Sequence, residues 1–330
     1  MERFRALVVD KTENQFSVGV QSLNLDDLSE GEVLIRVAYS GVNYKDGLAA
    51  SPKGRVVRSY PTVPGIDLAG TVAASTDPRF REGDEVLATS YELGVGHSGG
   101  FSEYARVPAD WVISLPKGLS HREAMILGTS GLTAALSVHR MEENGLRPEN
   151  GPVLVTGATG GVGSHAVSIL AASGYEVTAS TGKAQEHNYL RELGAAAILN
   201  REELYPETVK PLTKEQWAGA VDPVGGAALP HILSAVRRGG SVALSGLTGG
   251  AEFTAAVFPF ILRGVNLLGI DSAYCPLPLR QRLWERMASD LKPPRLEAMV
   301  HAETTLDELP GALQHILQSG VRGKVVVKLK

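Results

Sequence analysis

The stretch PVLVTGATGGVGSHAVSILAASG, residues 152–174, is the strongest indication of the fold in this chain. Its apolar start predicts a buried strand, and its second half has the apolar pattern of a helix. Four glycines lie between them within seven residues: Gly157, Gly160, Gly161 and Gly163. Such glycines allow a tight turn and a close backbone approach to a pyrophosphate, while the helix N-terminus presents unpaired N–H groups to the phosphates. A glycine-rich turn that serves only to pack the helix on the strand is the weaker interpretation. The stretch therefore predicts a dinucleotide-binding loop.

The chain after this loop alternates between predicted strands and helices. The segments are, in order, YEVTAST, HNYLRELGA, AAILN, AGAVDPV, LPHILSAVRRGG and SVALSG. Alternation at this spacing is typical of a parallel sheet covered by helices on both faces. We therefore predict a doubly wound α/β domain.

The segments on either side of that domain have a different pattern of predicted secondary structure. The first third carries short β-rich runs such as EVLIRVAYSGV, GTVAAS and DEVLAT. The chain ends with two amphipathic helices and the strand GKVVVKL, which could return to the first domain. The predicted layout is a β-rich domain over residues 1–123, an inserted α/β domain over 124–272 and a return segment over 273–330.

Composition limits the classes of function. The 330 residues, 43% hydrophobic and 21% charged, predict a globular protein of about two domains. A formal charge of −4 gives no electrostatic case for nucleic acid or an anionic membrane, and no apolar run approaches the length of a spanning helix. The single cysteine, Cys275, excludes an internal disulfide and a four-cysteine zinc site. The start MERFRALVVD has no signal region, so we expect a cytoplasmic protein.

The residues after the second and third predicted strands indicate which dinucleotide binds. An NAD enzyme would carry an acid at the tip of the second strand, to hold the ribose hydroxyls. Here Glu176 is assigned to the strand interior, and the tip offers Thr181 and Lys183 instead. Arg201 follows the third strand and could grip a 2′-phosphate. Either cation alone would be interpreted as an ordinary surface residue, but Lys183 and Arg201 together favour NADP over NAD.

The whole chain resembles the medium-chain dehydrogenase/reductase superfamily, in which a Rossmann domain interrupts a GroES-like catalytic domain. Within it, the chain is similar to the YhdH/YhfP group of quinone oxidoreductases, whose members include NADPH-dependent acrylyl-CoA reductases. The strings that carry the resemblance are NYKD, PGIDLAGTV, DPRF, GTSGLTA, VTGATGGVGS, FPFILRGVNLLGIDS and GKVVVK. The resemblance implies a homodimer paired through the region between SVALSGLTGG and VNLLGIDS.

The resemblance also bears on zinc. Zinc alcohol dehydrogenases of the superfamily need a cysteine and a His-Glu pair as ligands, and a catalytic zinc needs three protein ligands. The corresponding places here are Asn43 or Tyr44 for the cysteine, Ile66 for the histidine and Asp67 as a lone carboxylate. We therefore expect a reductase with no metal.

The resemblance assigns cofactor contacts to positions along the whole chain. Thr129 and Ser130, in GTSGLTA, are second choices near the nicotinamide. The assigned contacts are Tyr44, then Thr159, Gly160, Gly161 and Val162 at the pyrophosphate, Thr181, Gly182, Lys183 and Arg201 at the 2′-phosphate, Leu247, Ile261 and Ser272 near the nicotinamide and the dimer-side strands, and Ser319.

The stretch SGVNYKDG, residues 40–47, reads either as a solvated turn or as part of an active site. The resemblance favours the site. In the expected reaction a hydride from NADPH goes to the β-carbon of an α,β-unsaturated thioester, and a proton goes to the α-carbon. Tyr44 is the expected proton or hydrogen-bond donor, with a packing or cofactor-stacking role as the alternative, and Asn43 would orient substrate or cofactor. For Lys45 and Asp46 a surface ion pair is favoured over tuning of the phenol.

A basic loop follows this stretch and suggests the substrate. Lys53, Arg55 and Arg58 could attract the phosphates of coenzyme A, or could form an ordinary solvated loop. Three functions stay open. They are an NADPH-dependent reductase of an acyl-CoA such as acrylyl-CoA, a quinone or enone reductase, and a nucleotide-binding sensor without turnover.

Overall fold

The computed structural model describes residues 3–13, 15–318 and 320–329. The strands in this part of the chain are β1 (Arg3–Lys11), β2 (Phe16–Asn24), β3 (Val33–Val42), β4 (Asp67–Ser75), β5 (Glu85–Thr89), β6 (Tyr104–Val107), β7 (Val112–Ser114), β8 (Val153–Val155), β9 (Val177–Thr181), β10 (Ala197–Asn200), β11 (Trp217–Asp222), β12 (Val236–Leu244), β13 (Asn266–Gly269), β14 (Val300–Thr304) and β15 (Lys324–Lys328). The α-helices are α1 (Tyr44–Ala49), α2 (His121–Glu143), α3 (Gly161–Ala172), α4 (His187–Glu192), α5 (Leu229–Ala235), α6 (Phe258–Arg263), α7 (Leu277–Met287) and α8 (Leu309–Leu317). Short 3₁₀ helices are Leu25–Asp27, Ala109–Trp111, Pro148–Asn150, Ala184–Glu186, Arg201–Leu204, Gly226–Ala228 and Leu296–Met299.

The chain forms two compact units. Unit 1 combines residues 1–129, 273–288 and 300–330, and unit 2 combines residues 130–272 and 289–299. The second unit is therefore inserted into the first along the sequence.

Unit 2 is built on a six-stranded sheet with the order β10-β9-β8-β11-β12-β13. All five pairings are parallel. The central strands are apolar because helices cover both of their faces, and every residue of β11 is buried. The predicted doubly wound α/β fold is confirmed. One local assignment was wrong, because Glu176 precedes β9 rather than lying inside it.

Unit 1 contains a seven-stranded sheet and a β1–β2 hairpin. In the larger sheet β15 pairs antiparallel with β3, with Val327 opposite Ser40. The last strand of the chain therefore returns to the first unit, as the sequence predicts. This pairing also brings the start of β15 to the end of β3, where the sequence places NYKD.

Residues 43–49 do not form a solvated turn. Asn43 caps α1, and the Asp46 side chain accepts a hydrogen bond of 2.7 Å from the Asn43 backbone N–H, as in a capping box. The proposed surface pairing of Lys45 with Asp46 was wrong, because Asp46 is completely buried. Its carboxylate is used inside the fold.

The predicted long helix after residue 123 is confirmed, but it contains a break at Gly128. The φ of Gly128 is +49° and its ψ is −153° inside α2. Helical periodicity continues on both sides, so the apolar pattern does not indicate the break. In residues 3–13, 15–318 and 320–329 no helix is both long enough and apolar enough to cross a membrane.

Candidate functional site

A buried polar cluster lies at the start of α1 in unit 1. Its five side chains are those of the buried residues Asp46, Asp67 and Lys324 and of the half-buried residues Asn43 and Thr129. The Lys324 Nζ donates hydrogen bonds to Asn43 Oδ1 at 2.7 Å and to Asp67 Oδ2 at 3.1 Å. The exposed fractions of the Lys324 and Asp67 side chains are 1% and 0%. A lysine ammonium is therefore enclosed by oxygen atoms from the strings NYKD and GIDLAG.

Asp67 is the centre of the buried polar cluster. Its Oδ1 accepts hydrogen bonds from the Thr129 backbone N–H at 2.9 Å and from Thr129 Oγ1 at 2.5 Å. Its Oδ2 accepts one from Asn43 Nδ2 at 2.7 Å. The break at Gly128 makes this possible, because a Cβ at that position would lie 2.3 Å from Asp67 Oδ2. These donors compensate the cost of burying a carboxylate.

Asp46 adds a second carboxylate to the buried polar cluster. Its Oδ1 accepts a hydrogen bond of 2.9 Å from the Ile66 backbone N–H. Burial, with a smaller contribution from the charge of Asp67, raises the pKa of Asp46 from 3.8 to about 7. The cluster thus places two carboxylates beside one ammonium, and the second carboxylate holds its proton up to neutral pH.

Ser90 extends the buried polar cluster by one hydroxyl. Ser90 Oγ lies 2.8 Å from Thr129 Oγ1. Because Thr129 donates its hydroxyl hydrogen to Asp67, Ser90 donates to Thr129. Ser90 is 3% exposed and has a φ of +65°, a conformation that costs energy for a residue with a side chain.

Asn43 and Tyr44 differ in whether their polar side-chain groups are available to a ligand. The Asn43 amide nitrogen has acceptors at Asp67 Oδ2 and at Gly41 O, at 2.7 and 3.2 Å, and its oxygen accepts from Lys324. Its amide is therefore used within unit 1. Tyr44 is the first residue of α1, and 47% of it is exposed. The phenol, unlike the amide, is open to a ligand.

The three cations of the basic loop, Lys53, Arg55 and Arg58, differ in their charged neighbours. Lys53 and Arg55 are exposed. Arg58 forms a 2.8 Å ion pair with Glu92, whose carboxylate also accepts a hydrogen bond from the Tyr274 hydroxyl. That carboxylate raises the pKa of Tyr274. The negative charge of Glu92 therefore weakens the electrostatic attraction between Arg58 and a phosphate.

The glycine-rich loop in unit 2 has the geometry of a phosphate-binding turn. It runs from the end of β8 to α3, which begins at Gly161 with Gly160 as its N-cap. A Cβ at Gly163 would lie 2.3 Å from Gly157 O, so only glycine lets the helix approach the turn. The first N–H groups of α3 have no partner within the helix and can bind an anion. Thr159 and Gly160 lie in this turn, and Gly161 and Val162 are the first two residues of α3.

Thr181, Gly182, Lys183 and Arg201 meet at the carboxyl ends of β9 and β10. Thr181 pairs with Asn200, the residue before Arg201. The Arg201 guanidinium lies against Gly182, where a Cβ would be 2.6 Å from its Nε. Arg201 also forms a 3.1 Å ion pair with Glu202 at the surface. The described residues after β9 carry no acid before Glu186.

The remaining predicted contacts are dispersed. Leu247 and Ile261 are exposed, at 66% and 68%. The hydroxyls of Ser272 and Thr133 lie 2.7 Å apart within unit 2. Ser319 lies outside the described residues.

Sequence reasoning missed two members of the site in unit 1, Lys324 and Ser90. A lysine at the start of the otherwise apolar strand KVVVK was a signal for a buried cation, since a lysine is rarely enclosed without a partner. Ser90 had no comparable signal, because serine is common in loops.

Family models match both parts of the chain. The model for the alcohol dehydrogenase GroES-like domain matches residues 29–117, and the model for zinc-binding dehydrogenases matches residues 161–289. The predicted GroES-like domain with an inserted Rossmann domain is confirmed.

Individual relatives cover nearly the whole chain. YhfP of Bacillus subtilis, which carries a quinone oxidoreductase name, is 59% identical over 99% of both chains. Its crystal structure with NAD bound superimposes with a TM-score of 0.98 over 100% of both chains. The acrylyl-CoA reductase AcuI of Ruegeria pomeroyi is 52% identical over 98% of both chains. The yhdH oxidoreductase of Salmonella enterica, solved with NADP, is 46% identical with a TM-score of 0.95 over 99% of this chain and 100% of its own.

Proposed function

The chain belongs to the medium-chain dehydrogenase/reductase superfamily and is an NAD(P)-dependent oxidoreductase, and from this premise we propose that it reduces an α,β-unsaturated acyl-CoA thioester with NADPH and without zinc. The substrate is of the acrylyl-CoA type, and the product is the saturated thioester. The observation that carries the proposal is the 52% identity to an acrylyl-CoA reductase over 98% of the chain. Lys53 and Arg55, both exposed, would attract the phosphates of coenzyme A.

The proposed independence from zinc follows from the donor set. The residues of NYKD and GIDLAG already hold an ammonium, and Asp67 accepts hydrogen bonds on both oxygens. In the part of the chain that the structure describes, no three His, Cys, Asp or Glu side chains come together as a metal site. These residues do not fit a catalytic zinc, which needs three ligands and an open position. Treatment with a chelator should leave the rate unchanged, and a loss that zinc restores would contradict this part of the proposal.

The proposed preference for NADPH rests on Lys183 and Arg201. Both lie at the carboxyl edge of the parallel sheet, where dinucleotides bind, and Arg201 contacts the residue before Lys183. A 2′-phosphate would be held by two cations and by the Thr181 hydroxyl. When bound, NADPH supplies the hydride for the double bond.

In the proposed mechanism Tyr44 acts on the substrate. Its phenol either donates a hydrogen bond to the thioester oxygen as that oxygen gains enolate character, or gives its proton to the α-carbon and leaves a phenolate that solvent water reprotonates. Asn43 serves as a positioning residue, because Asp67 and Lys324 occupy its amide. The buried polar cluster thereby fixes the N-terminus of α1 and the backbone of Tyr44.

A quinone or enone reductase is the second candidate. It is favoured by the ion pair between Arg58 and Glu92, because all three cations of the basic loop are exposed but the charge of Arg58 already has a carboxylate beside it. A small quinone needs none of them. A nucleotide-binding sensor is the candidate from another class.

One assay separates these candidates. NADPH oxidation by the purified protein is followed with acrylyl-CoA and with a simple quinone, and NADH replaces NADPH as a control. A strong preference for acrylyl-CoA supports the proposal, and activity with the quinone alone supports the second candidate. NADPH binding without turnover of either substrate would point to the sensor.

We also propose that the chain forms a homodimer through the edge of the sheet in unit 2. Strand β13 lies at the end of the sheet order, and Val257, Phe258 and Leu262 near it are exposed at 61%, 43% and 49%. A second copy would cover this apolar face. Sedimentation should show a dimer that Val257→Glu dissociates, and a monomeric unaltered chain would contradict the proposal.

A further inference from the structure

Asp222 is a buried carboxylate at the carboxyl edge of the parallel sheet. It is the last residue of β11 and is 0% exposed. Its Oδ1 accepts a hydrogen bond from the Thr156 hydroxyl and one of 3.0 Å from the Val224 backbone N–H. The Gly225 N–H lies 3.2 Å from both carboxylate oxygens. Hydrogen bonds to a buried carboxylate are stronger than those between neutral groups, so this residue joins its partners firmly.

The first of these partners leads into the glycine-rich loop. Thr156 is the residue between β8 and Gly157, and its own N–H donates to Val221 O at 3.1 Å. Both its backbone and its hydroxyl are therefore bound to the end of β11. The start of the glycine-rich loop is thus fixed through Thr156 to Asp222.

The other partners lead to the loop that carries Leu247. Residues 223–226 follow Asp222 and contact residues 246–250, which follow β12. The Gly249 N–H donates to Val224 O at 2.8 Å, and a Cβ at Gly226 would lie 2.2 Å from Gly249 O. These two loops are in close contact through their backbones, and the Val224 side chain also lies against Gly249. A displacement of the first loop would therefore displace the second.

We propose that Asp222 is a positioning residue for the cofactor. It fixes the glycine-rich loop and the Leu247 loop against each other, so that the pyrophosphate and the nicotinamide are held in one geometry. The inference rests on the proposed assignment of these loops to the two parts of the cofactor. Side chains behind a binding site commonly act in this way, because they set the orientation of the groups that touch the ligand.

The test removes the hydroxyl that links Asp222 to the glycine-rich loop. Thr156→Val should weaken NADPH binding about tenfold, because a displaced glycine-rich loop no longer presents its N–H groups to the pyrophosphate, and should shift the emission of bound NADPH towards that of the unbound cofactor. Binding of adenosine 2′-monophosphate should change less than about twofold. That ligand lacks both the pyrophosphate and the nicotinamide, and its proposed contacts lie at Thr181, Lys183 and Arg201.

Two further variants make the test specific. Thr156→Ser keeps the hydroxyl and should restore the affinity and emission of the unaltered chain. Thr213→Val removes a half-buried hydroxyl near Ser234, elsewhere in unit 2, and should change neither. Asp222→Asn, which keeps the volume but removes the charge, should show the same difference between the two ligands, so the test does not depend on the folding of Thr156→Val.

The possible results separate the inference from the function on which it rests. A folded Thr156→Val chain with unaltered NADPH affinity and emission would overturn the inference. An equal loss of affinity for both ligands would also overturn it, because it would indicate general damage to unit 2. If the unaltered chain binds no NADPH, the cofactor assignment itself is wrong.

Discussion

Lys324 and Asn43 are 281 positions apart in the chain, yet the Lys324 Nζ donates a 2.7 Å hydrogen bond to Asn43 Oδ1. The pairing of β15 with β3 makes this contact, because it places the start of the last strand beside the end of the third. The same ammonium contacts Asp67 at 3.1 Å. One buried cation thus joins the C-terminal strand to the residues around Tyr44.

Removal of this cation should strongly destabilise the protein. Lys324→Met leaves the Asp67 carboxylate buried without its ammonium, and breaking a buried ion pair in this way costs about 3–5 kcal/mol. The free energy of unfolding is measured by urea denaturation. Lys328→Met is the matched control, because Lys328 lies on the same strand and is exposed. Similar small losses for the two variants would contradict the role assigned to Lys324.

Asp46 should make stability depend on pH. Its pKa is raised from 3.8 to about 7 on folding, so the folded chain binds more protons than the unfolded chain between these values. The contribution of Asp46 to stability is therefore present at low pH and is lost as the pH rises through that window, by up to about 4 kcal/mol. Asp46→Asn cannot titrate, and its loss of an acceptor is independent of pH.

The measurement compares the unaltered chain with Asp46→Asn between pH 4 and pH 8. The stability of the unaltered chain relative to the variant should fall as the pH rises. Asp26→Asn, at an exposed position, should follow the unaltered chain at every pH. A constant difference between Asp46→Asn and the unaltered chain would show that Asp46 does not hold a proton in the fold.

The sequence predicted those parts of the fold that depend on local patterns. The glycine loop and the alternation of strands and helices lie within short windows, so the doubly wound sheet could be inferred from them. The buried polar cluster depends on contacts between distant segments. Its central contact requires the register of β15 on β3, which short-range periodicity does not report.

The site showed the same division between local and distant information. Asn43 and Tyr44 were proposed because they lie in one short string that carries the family resemblance, and Arg201 because it follows a predicted strand; their roles stay predictions. The burial of Asp46 was missed, since Asn, Lys, Asp and Gly also make solvated turns. The ion pair of Arg58 was missed as well, because Glu92 lies 34 positions further along the chain.

Loss of the Tyr44 hydroxyl should affect turnover more than cofactor binding. A general acid contributes about 10²–10⁴ to the rate, so Tyr44→Phe should lower kcat with acrylyl-CoA by at least about a hundredfold. The ring stays, and the Kd for NADPH should therefore stay within about twofold. Tyr205→Phe, at an exposed tyrosine of unit 2, is the control and should leave both values unchanged. An unaltered rate for Tyr44→Phe would remove it as the proton donor.

Lys183 and Arg201 should set the preference for NADPH. Replacing both with alanine removes the two cations proposed for the 2′-phosphate, and a charge-assisted hydrogen bond contributes about 1.5–3 kcal/mol. The Kd for NADPH should rise by roughly tenfold or more, while the Kd for NADH, which lacks that phosphate, should stay the same. The control is Arg191→Ala on α4, at an exposed position. An equal rise in Kd for NADPH and NADH would show that the two cations do not bind the 2′-phosphate.

The basic loop should distinguish coenzyme A esters from small quinones. Lys53→Ala with Arg55→Ala should raise the KM for acrylyl-CoA about tenfold and leave the KM for a quinone unchanged, because the quinone carries no phosphate. Arg58→Ala should have a smaller effect, since its charge is already balanced by Glu92 at 2.8 Å. Salt should weaken the preference, because exposed charges are screened over about 10 Å at 0.1 M ionic strength. Equal rises in KM for both substrates would show that the loop supports the fold of the site and does not bind the coenzyme A phosphates.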